Sequence, residues 1–393
     1  GGPLMSIRMG RRDMDGARQI ITNSFYLLLA LSVLATVPLL IFKRQILFTF
    51  GCSDALWDYA QAYFTTYVSG TVFALLSYGL NQITMSQGFS GTAMRSVMLG
   101  AAVNIALDPV FIFALHMGVR GAALATVLSQ ACSTAYILRF LMSDRAAVRI
   151  TRQPVNFGWM RRIVQVGLSP ALIIALDNVL LISINVMLRK YGGADSDMLI
   201  ACAAIMQSFM LVITMPLGGI TAGTQSILGY NYGACNMARV KQAVRTVARL
   251  CMGYALVMTL AGFVAGGLFA RLFTRDAAVL AEAARAIRIC VLAIVPLGVQ
   301  YEIVDGFTAL GQAQIALPLS FWRKAVYFAA LFALPALFGA RAIFYAEPVS
   351  DVLGPAVSAA AYLLFMDKLL QRRQAAAGTR HWQQGQDAGA PVA

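Results

Sequence analysis

One pattern recurs ten times along this chain: some twenty mostly apolar residues with few charges, closed by a short polar or basic turn. A helix needs about 20 such residues to cross a bilayer. The stretches lie at roughly 22–42, 60–86, 96–115, 121–140, 166–188, 199–221, 247–270, 286–309, 314–338 and 349–369. Several contain Gly or Pro, which membrane helices tolerate better than soluble ones do. Only 12% of the residues are charged, against about 25% in an ordinary soluble domain. That is too little charge for a water-facing surface, and a lipid-facing exterior removes the difficulty. The expected class is an all-α integral membrane protein.

The net charge of +14 does not indicate nucleic acid. The Lys and Arg residues fall in short clusters between apolar stretches, with no basic helix face and no aromatic-interleaved patch. Basic clusters beside spans orient a chain, the basic loops staying in the cytoplasm. Counted in every second loop from the amino end, Lys and Arg number 21, including Arg323 and Lys324, and the opposite loops hold 10. The bias places both chain ends in the cytoplasm, in a multi-pass protein of the cell's inner (plasma) membrane. Cys52, Cys132, Cys202, Cys235, Cys251 and Cys290 form no CxxC pair, and His116 and His381 stand far apart. No metal site, cofactor or disulfide framework is expected. No nucleophile with an acid–base partner is visible either, so no catalytic residue is expected and the chain does not read as an enzyme.

The chain also resembles itself. Gly10-Arg11-Arg12-Asp13-Met14 through Gln19 aligns with Gly233-Ala234-Cys235-Asn236-Met237 through Gln242 at an offset of 223 residues. Ser86-Gln87-Gly88 and Ala309-Leu310-Gly311 match at the same offset. Both members of each pair lie on the expected cytoplasmic side, so the repeats run parallel. Two such bundles related by an axis along the membrane normal are a transporter plan. The second repeat opens near Val166, which puts the opening of the first about 57 residues before residue 1. The complete protein is thus expected to have twelve spans, two of them ahead of this sequence. The expected divisions are an incomplete first lobe over 1–142, a cytoplasmic linker over 143–165, a second lobe over 166–369 and a polar cytoplasmic tail over 370–393.

Acids inside spans are the candidate functional groups. A carboxylate buried in a membrane costs about 2.5–3.5 kcal/mol to insert at a helix centre and is rarely kept without a use. It can bind an ion or a cationic compound in turn and change charge state between the two. Asp108, Asp177, Glu302 and Asp305 are the acids within spans, with Asp351 near a span end. Asp108 lies 13 residues beyond Arg95, or roughly 20 Å along a helix. Asn104 is one turn earlier on the same face, and Pro109 frees backbone carbonyls beside it. The alternative is a kink whose Asp and Asn satisfy the broken backbone. Asp177, next to Asn178, lines a cavity for a cationic compound or packs by hydrogen bonding. Glu302 and Asp305 share a helical face and either contact substrate or line a solvated inner vestibule. Arg323 and Lys324 could pair with Glu302 or Asp305, or anchor at the interface by snorkelling. Asp351 reads as interfacial or capping.

Several segments carry a family resemblance. Asn104-Ile105-Ala106-Leu107-Asp108-Pro109-Val110-Phe111, Gly118-Val119-Arg120-Gly121-Ala122-Ala123 and Gly229-Tyr230-Asn231-Tyr232-Gly233-Ala234 are similar to segments of the multidrug and toxin extrusion (MATE) family. Pro348-Val349-Ser350-Asp351 leans toward its MepA-like branch. The resemblance implies two six-helix bundles that rock about a central cavity, exporting lipophilic, often cationic drugs or toxins in exchange for H+ or Na+, most simply as a monomer. It implies an ion- or proton-coupling cluster of Asp108, Asn104, Tyr63 and Thr126, with Asn81 joining Asp177, Asn178, Glu302 and Asp305 as substrate-cavity candidates. The same family cluster includes an aspartate on the first helix, which this sequence does not contain. An uncharged polar residue is usual in the family near the position of Asp305. Rival readings are a flippase for a lipid-linked oligosaccharide, which would want arginines in mid-span, a membrane-embedded enzyme, and a scaffold or channel without coupling.

Overall fold

The computed structural model describes residues 1–50 and 52–387. Every regular element among them is helical. The chain divides after Val164 into two compact units.

The first unit opens with α1 (Gly2–Gly10), which turns at Arg12 into α2 (Met14–Ile41). Arg12 has φ +59, and Asp13 caps α2 by accepting the Gly16 N–H at 2.8 Å while pairing with Arg8 at 2.5 Å. A short α3 (Lys43–Thr49) leads to α4 (Trp57–Ser69) and α5 (Thr71–Ser86), then α6 (Ser90–Pro109) and α7 (Gly118–Leu141). The core gathers Met5, Ile20, Ile21, Leu80, Ile137 and Leu141 where α1, α2, α5 and α7 meet. Residues 143–156 lie along this unit. The Gln87 amide exchanges two hydrogen bonds with the Val148 backbone, and the Asn23 carbonyl oxygen accepts the Asn156 N–H at 2.8 Å.

The second unit holds most of α8 (Phe157–Tyr191), then α9 (Ser196–Gly233), α10 (Met237–Ala270), α11 (Ala277–Cys290), α12 (Ile294–Ala309), α13 (Ala313–Phe338) and α14 (Ala346–Asp387). Its core runs through Leu188, Leu199, Ile213, Ile287, Ile294 and Leu331. The expected polar tail from 370 continues α14 to Asp387, and residues 388–393 lie outside the described residues. Outward apolar residues such as Val264, Ile105 and Leu363, each over 70% exposed, suit lipid rather than water.

The repeat is visible element by element. Shifted by 223 residues, α1 ends where α9 ends, α2 begins where α10 begins, and α6 begins where α13 begins. Arg12 and Cys235 share a positive φ of 59 and 58, as do Gly88 and Gly311 at 89 and 74. Asn236 caps α10 through the Arg239 N–H, as Asp13 caps α2. Packing repeats as well: α2–α5, α5–α7 and α6–α7 correspond to α10–α12, α12–α14 and α13–α14.

Among the described residues, eight helices are long and apolar enough to span a membrane. The other two expected spans, 60–86 and 286–309, are interrupted helices. The first breaks at Gly70 between α4 and α5, the second in a 3-10 turn over Val291–Ala293 between α11 and α12. Gly70 shifted by 223 is Ala293, so the break belongs to the repeat. At Gly70 the cause is close approach: a Cβ there would sit 2.3 Å from a Val127 methyl on α7.

Candidate functional site

In the first unit the polar residues collect along the α6–α7 seam. Ser96 and Ser133 share a hydroxyl hydrogen bond at 2.7 Å, and the Asn104 amide donates to Thr126 Oγ1 at 3.5 Å. Small residues let the two helices come this close; a Cβ on Gly100 would be 3.4 Å from the Ser129 carbonyl. Asp108 lies one turn beyond Asn104 on α6, and its Oδ1 is sealed from solvent with no hydrogen-bond partner among the described residues. Pro109 brings no N–H to the next turn, and the chain continues as a π-helical turn over Val110–Ala114. Bulged turns of this type often occur at functional positions. Tyr63 stands on α4, stacked on Tyr67 at 5.9 Å and 41% exposed, and makes no hydrogen bond to the other three among the described residues. The structure therefore joins Asn104 to Thr126, sets Asp108 a turn away and leaves Tyr63 apart.

Asn81 belongs elsewhere in this unit. It is buried on α5, donates to the Ser77 carbonyl at 2.8 Å and to Ser96 Oγ at 3.5 Å, and so joins the serine seam. It also borders a cavity of about 500 Å³ with Tyr78, Met94 and Gln130.

The second unit holds a buried ionic cluster where α8, α13 and α14 meet. Arg323 donates to Asp351 Oδ1 at 3.0 Å, and the Asp351 side chain is fully buried. Lys324 donates to Asp177 Oδ1. Tyr327 donates to Glu347 Oε2 at 3.2 Å, and Ser350 to Asp351 Oδ1 at 3.3 Å. Buried charges persist when paired and further hydrogen bonded, and Asp351 meets that condition at Oδ1, while its Oδ2 has no partner among the described residues. Asn178 is exposed and returns its amide to the Ile174 carbonyl of its own helix.

Three expectations are corrected here. Arg323 and Lys324 are neither loop residues nor snorkelling anchors; they sit ten and eleven residues inside α13. Their acids are Asp351 and Asp177, not Glu302 or Asp305. Asp351 is interior rather than interfacial, because Arg323 reaches it from α13. Taking the two cations out of the loop count leaves 19 against 10, and the orientation bias stands.

Glu302 and Asp305 part company despite their spacing. Glu302 on α12 is 1% exposed, with neither carboxyl oxygen partnered, which does not fit a solvated vestibule. Asp305, half-buried, accepts the Thr221 hydroxyl of α9 at 2.5 Å. The close α12–α10 contact that seals this region is set by Gly298, whose Cβ would lie 3.2 Å from the Cys251 carbonyl.

The repeat relates the two polar regions. Asn104 shifted by 223 is Tyr327, and Thr126 shifted likewise falls two residues from Glu347. Each unit thus carries its interhelical polar contact on the corresponding helix pair, Asn104–Thr126 on α6–α7 and Tyr327–Glu347 on α13–α14. Sequence reasoning missed Glu347 and Tyr327. The available signal was a second acid one turn before Asp351, facing the turn after Arg323.

Repeated helical bundles with bilayer-length helices, and with carboxylates buried among them, define a polytopic membrane transporter. The MatE family model matches residues 2–110 and 171–338, and the chain belongs to that family. It is 24% identical over 358 residues to the multidrug export protein MepA of Staphylococcus haemolyticus strain JCSC1435, covering 90% of this chain and 77% of that protein. The MepA of Staphylococcus aureus strain N315 is also 24% identical, over 372 residues, covering 94% of this chain and 81% of the relative. The fold matches the crystal structure of a MATE protein in complex with MaL6, with a TM-score of 0.87 at 22% identity, covering 94% of this chain and 84% of the other.

Proposed function

We propose that the protein is a secondary efflux antiporter that exports lipophilic, often cationic compounds in exchange for H+ or Na+. The observation that carries this reading is Asp108, a membrane carboxylate whose Oδ1 is sealed and unpartnered in a chain of the MatE family. Most buried polar oxygens are hydrogen-bonded. One left unpartnered is free to take a proton or ion, with Asn104 and Thr126 a turn away. Export by relatives named as multidrug export proteins supports the substrate class. Asp177, half exposed, supplies a carboxylate that a cationic compound can reach.

The basic loops favour a plasma-membrane protein with both ends in the cytoplasm, and export without catalytic chemistry by a single copy is the simplest form of this reading. Mid-helix Arg323 and Lys324 are what a flippase for an anionic lipid headgroup would want. Both are neutralised by acids, which favours cationic substrates.

The test is ethidium efflux from pump-deficient cells, comparing native protein with Asp108→Asn at matched expression and with both ion gradients collapsed as a control. Native protein exporting dye, and the Asn variant slowed at least about tenfold, is the expected result. Efflux by the Asn variant at the native rate would remove Asp108 from coupling. No efflux of any lipophilic cation by well-folded native protein would favour the flippase.

A further inference from the structure

The adjacent cations of α13 are held in opposite ways. Arg323 is paired with an acid that has no solvent exposure at all. Lys324, itself 5% exposed, is paired with Asp177, whose side chain is 49% exposed. The first pair is closed on the aspartate side, with the arginine side chain 14% exposed. The second is closed on the lysine side and open on the aspartate side, so the Asp177 carboxylate keeps a face that the lysine does not cover.

Lys324 also has somewhere to go. Tyr327, three residues beyond Lys324 and so on the same face of α13, holds Glu347 of α14 at 3.2 Å, and Arg323 belongs to the same cluster. A lysine is a single point charge on a flexible four-carbon stem, and it can turn from Asp177 toward Glu347 while staying inside the bundle. Arginine at 323 is bound to a fixed partner and lacks that freedom. Asp177, once released, keeps about half of its side chain exposed.

We propose that Lys324 is a built-in competitor for the substrate site: its ammonium occupies Asp177 in the empty protein and yields that carboxylate to a lipophilic cation. Lys324 is then a specificity-determining residue for cations as against neutral compounds. This rests on the efflux reading above, and on Asp177 as a cation contact within it. Occupancy of Asp177 by Lys324 lowers apparent substrate affinity by the fraction of molecules in which the carboxylate is free. A weak cation cannot displace the lysine, and neutral compounds do not sense it.

The experiment measures binding of tetraphenylphosphonium, and of neutral triphenylphosphine oxide, to the purified protein. Native protein is compared with Lys324→Gln, Lys324→Arg and Asp177→Asn, each checked for a monodisperse, cooperatively melting state. The expected result is tetraphenylphosphonium binding about tenfold tighter in Lys324→Gln, at or below native strength in Lys324→Arg, and lost in Asp177→Asn. Triphenylphosphine oxide binding should move less than about twofold throughout. Should Lys324→Gln fail to fold, the Arg and Asn variants still decide, since unchanged phosphonium binding by Asp177→Asn overturns the proposal. Equal or weaker phosphonium binding in folded Lys324→Gln, with the phosphine oxide changing in parallel, makes Lys324 purely structural and leaves the efflux reading intact. No phosphonium binding by either native protein or Lys324→Gln overturns the cation reading itself, and this proposal with it.

Discussion

Arg323 and Asp351 show how much a single pair can matter inside a membrane bundle. Removing one partner of a buried pair leaves the other charged and unpaired, a cost of about 3–5 kcal/mol, whereas replacing both with apolar residues of similar volume is close to neutral. Arg323→Ala should therefore lower the melting temperature of purified protein by several degrees, and Arg323→Met with Asp351→Leu should recover most of it. A double variant no more stable than the single one would show that the pair does not act as a unit. Asp108 and Asn104 were legible in the sequence because their relation is local: four residues apart on one helix, in an apolar stretch. The partners of Arg323 and Lys324 were not. Asp177 is 147 residues from Lys324, and a lysine in an apolar stretch is equally compatible with snorkelling. Only the folded chain, which brings Asp177 of α8 to Lys324 and packs α14 on α13, decides between the two.

At the scale of elements, the two repeats solve the same problems with slightly different residues. The turn into α2 uses Asp13, and the turn into α10 uses Asn236; both accept the N–H three residues on, and both residue types cap well. What Asp13 adds is charge. Burial alone pushes its carboxyl up, but the Gly16 N–H and the Arg8 and Arg11 guanidiniums outweigh it and hold it below the ordinary 3.8. A carboxylate depressed in the folded state contributes stability in full above its ordinary value and loses it as pH falls through the folded value. Asp13→Asn keeps the cap and drops the ion pair. The native-minus-variant difference in stability should be about 0.5 kcal/mol or less for so exposed a pair. It should be constant above pH 3.8 and vanish below the folded value, as thermal melts across the acid range would show; a difference that grows with acid contradicts this assignment. The repeat offset was readable from two short motifs because turns need particular residues at particular positions. The breaks at Gly70 and Ala293 were not, since hydropathy continues across them and the cause at Gly70 is Val127, far along the chain on α7.

For the whole molecule, the all-helical membrane class followed from charge scarcity and span length alone, and the family from motifs in order along the chain. The candidate site was legible in its acids but not in its balance. Glu302 and Asp305 look equivalent in sequence, yet one is sealed and unpartnered and the other hydrogen-bonded to α9. That difference arises from how tightly α12 meets α10 at Gly298, a property of two surfaces rather than of either segment. The account's central claim is exchange of a lipophilic cation against an inorganic one, and its most direct test is purified protein in liposomes under an imposed H+ or Na+ gradient. Ethidium should move against the direction of the driving ion, at a rate abolished by the ionophore that collapses that gradient. Folded protein that moves no ethidium under either gradient would contradict the claim.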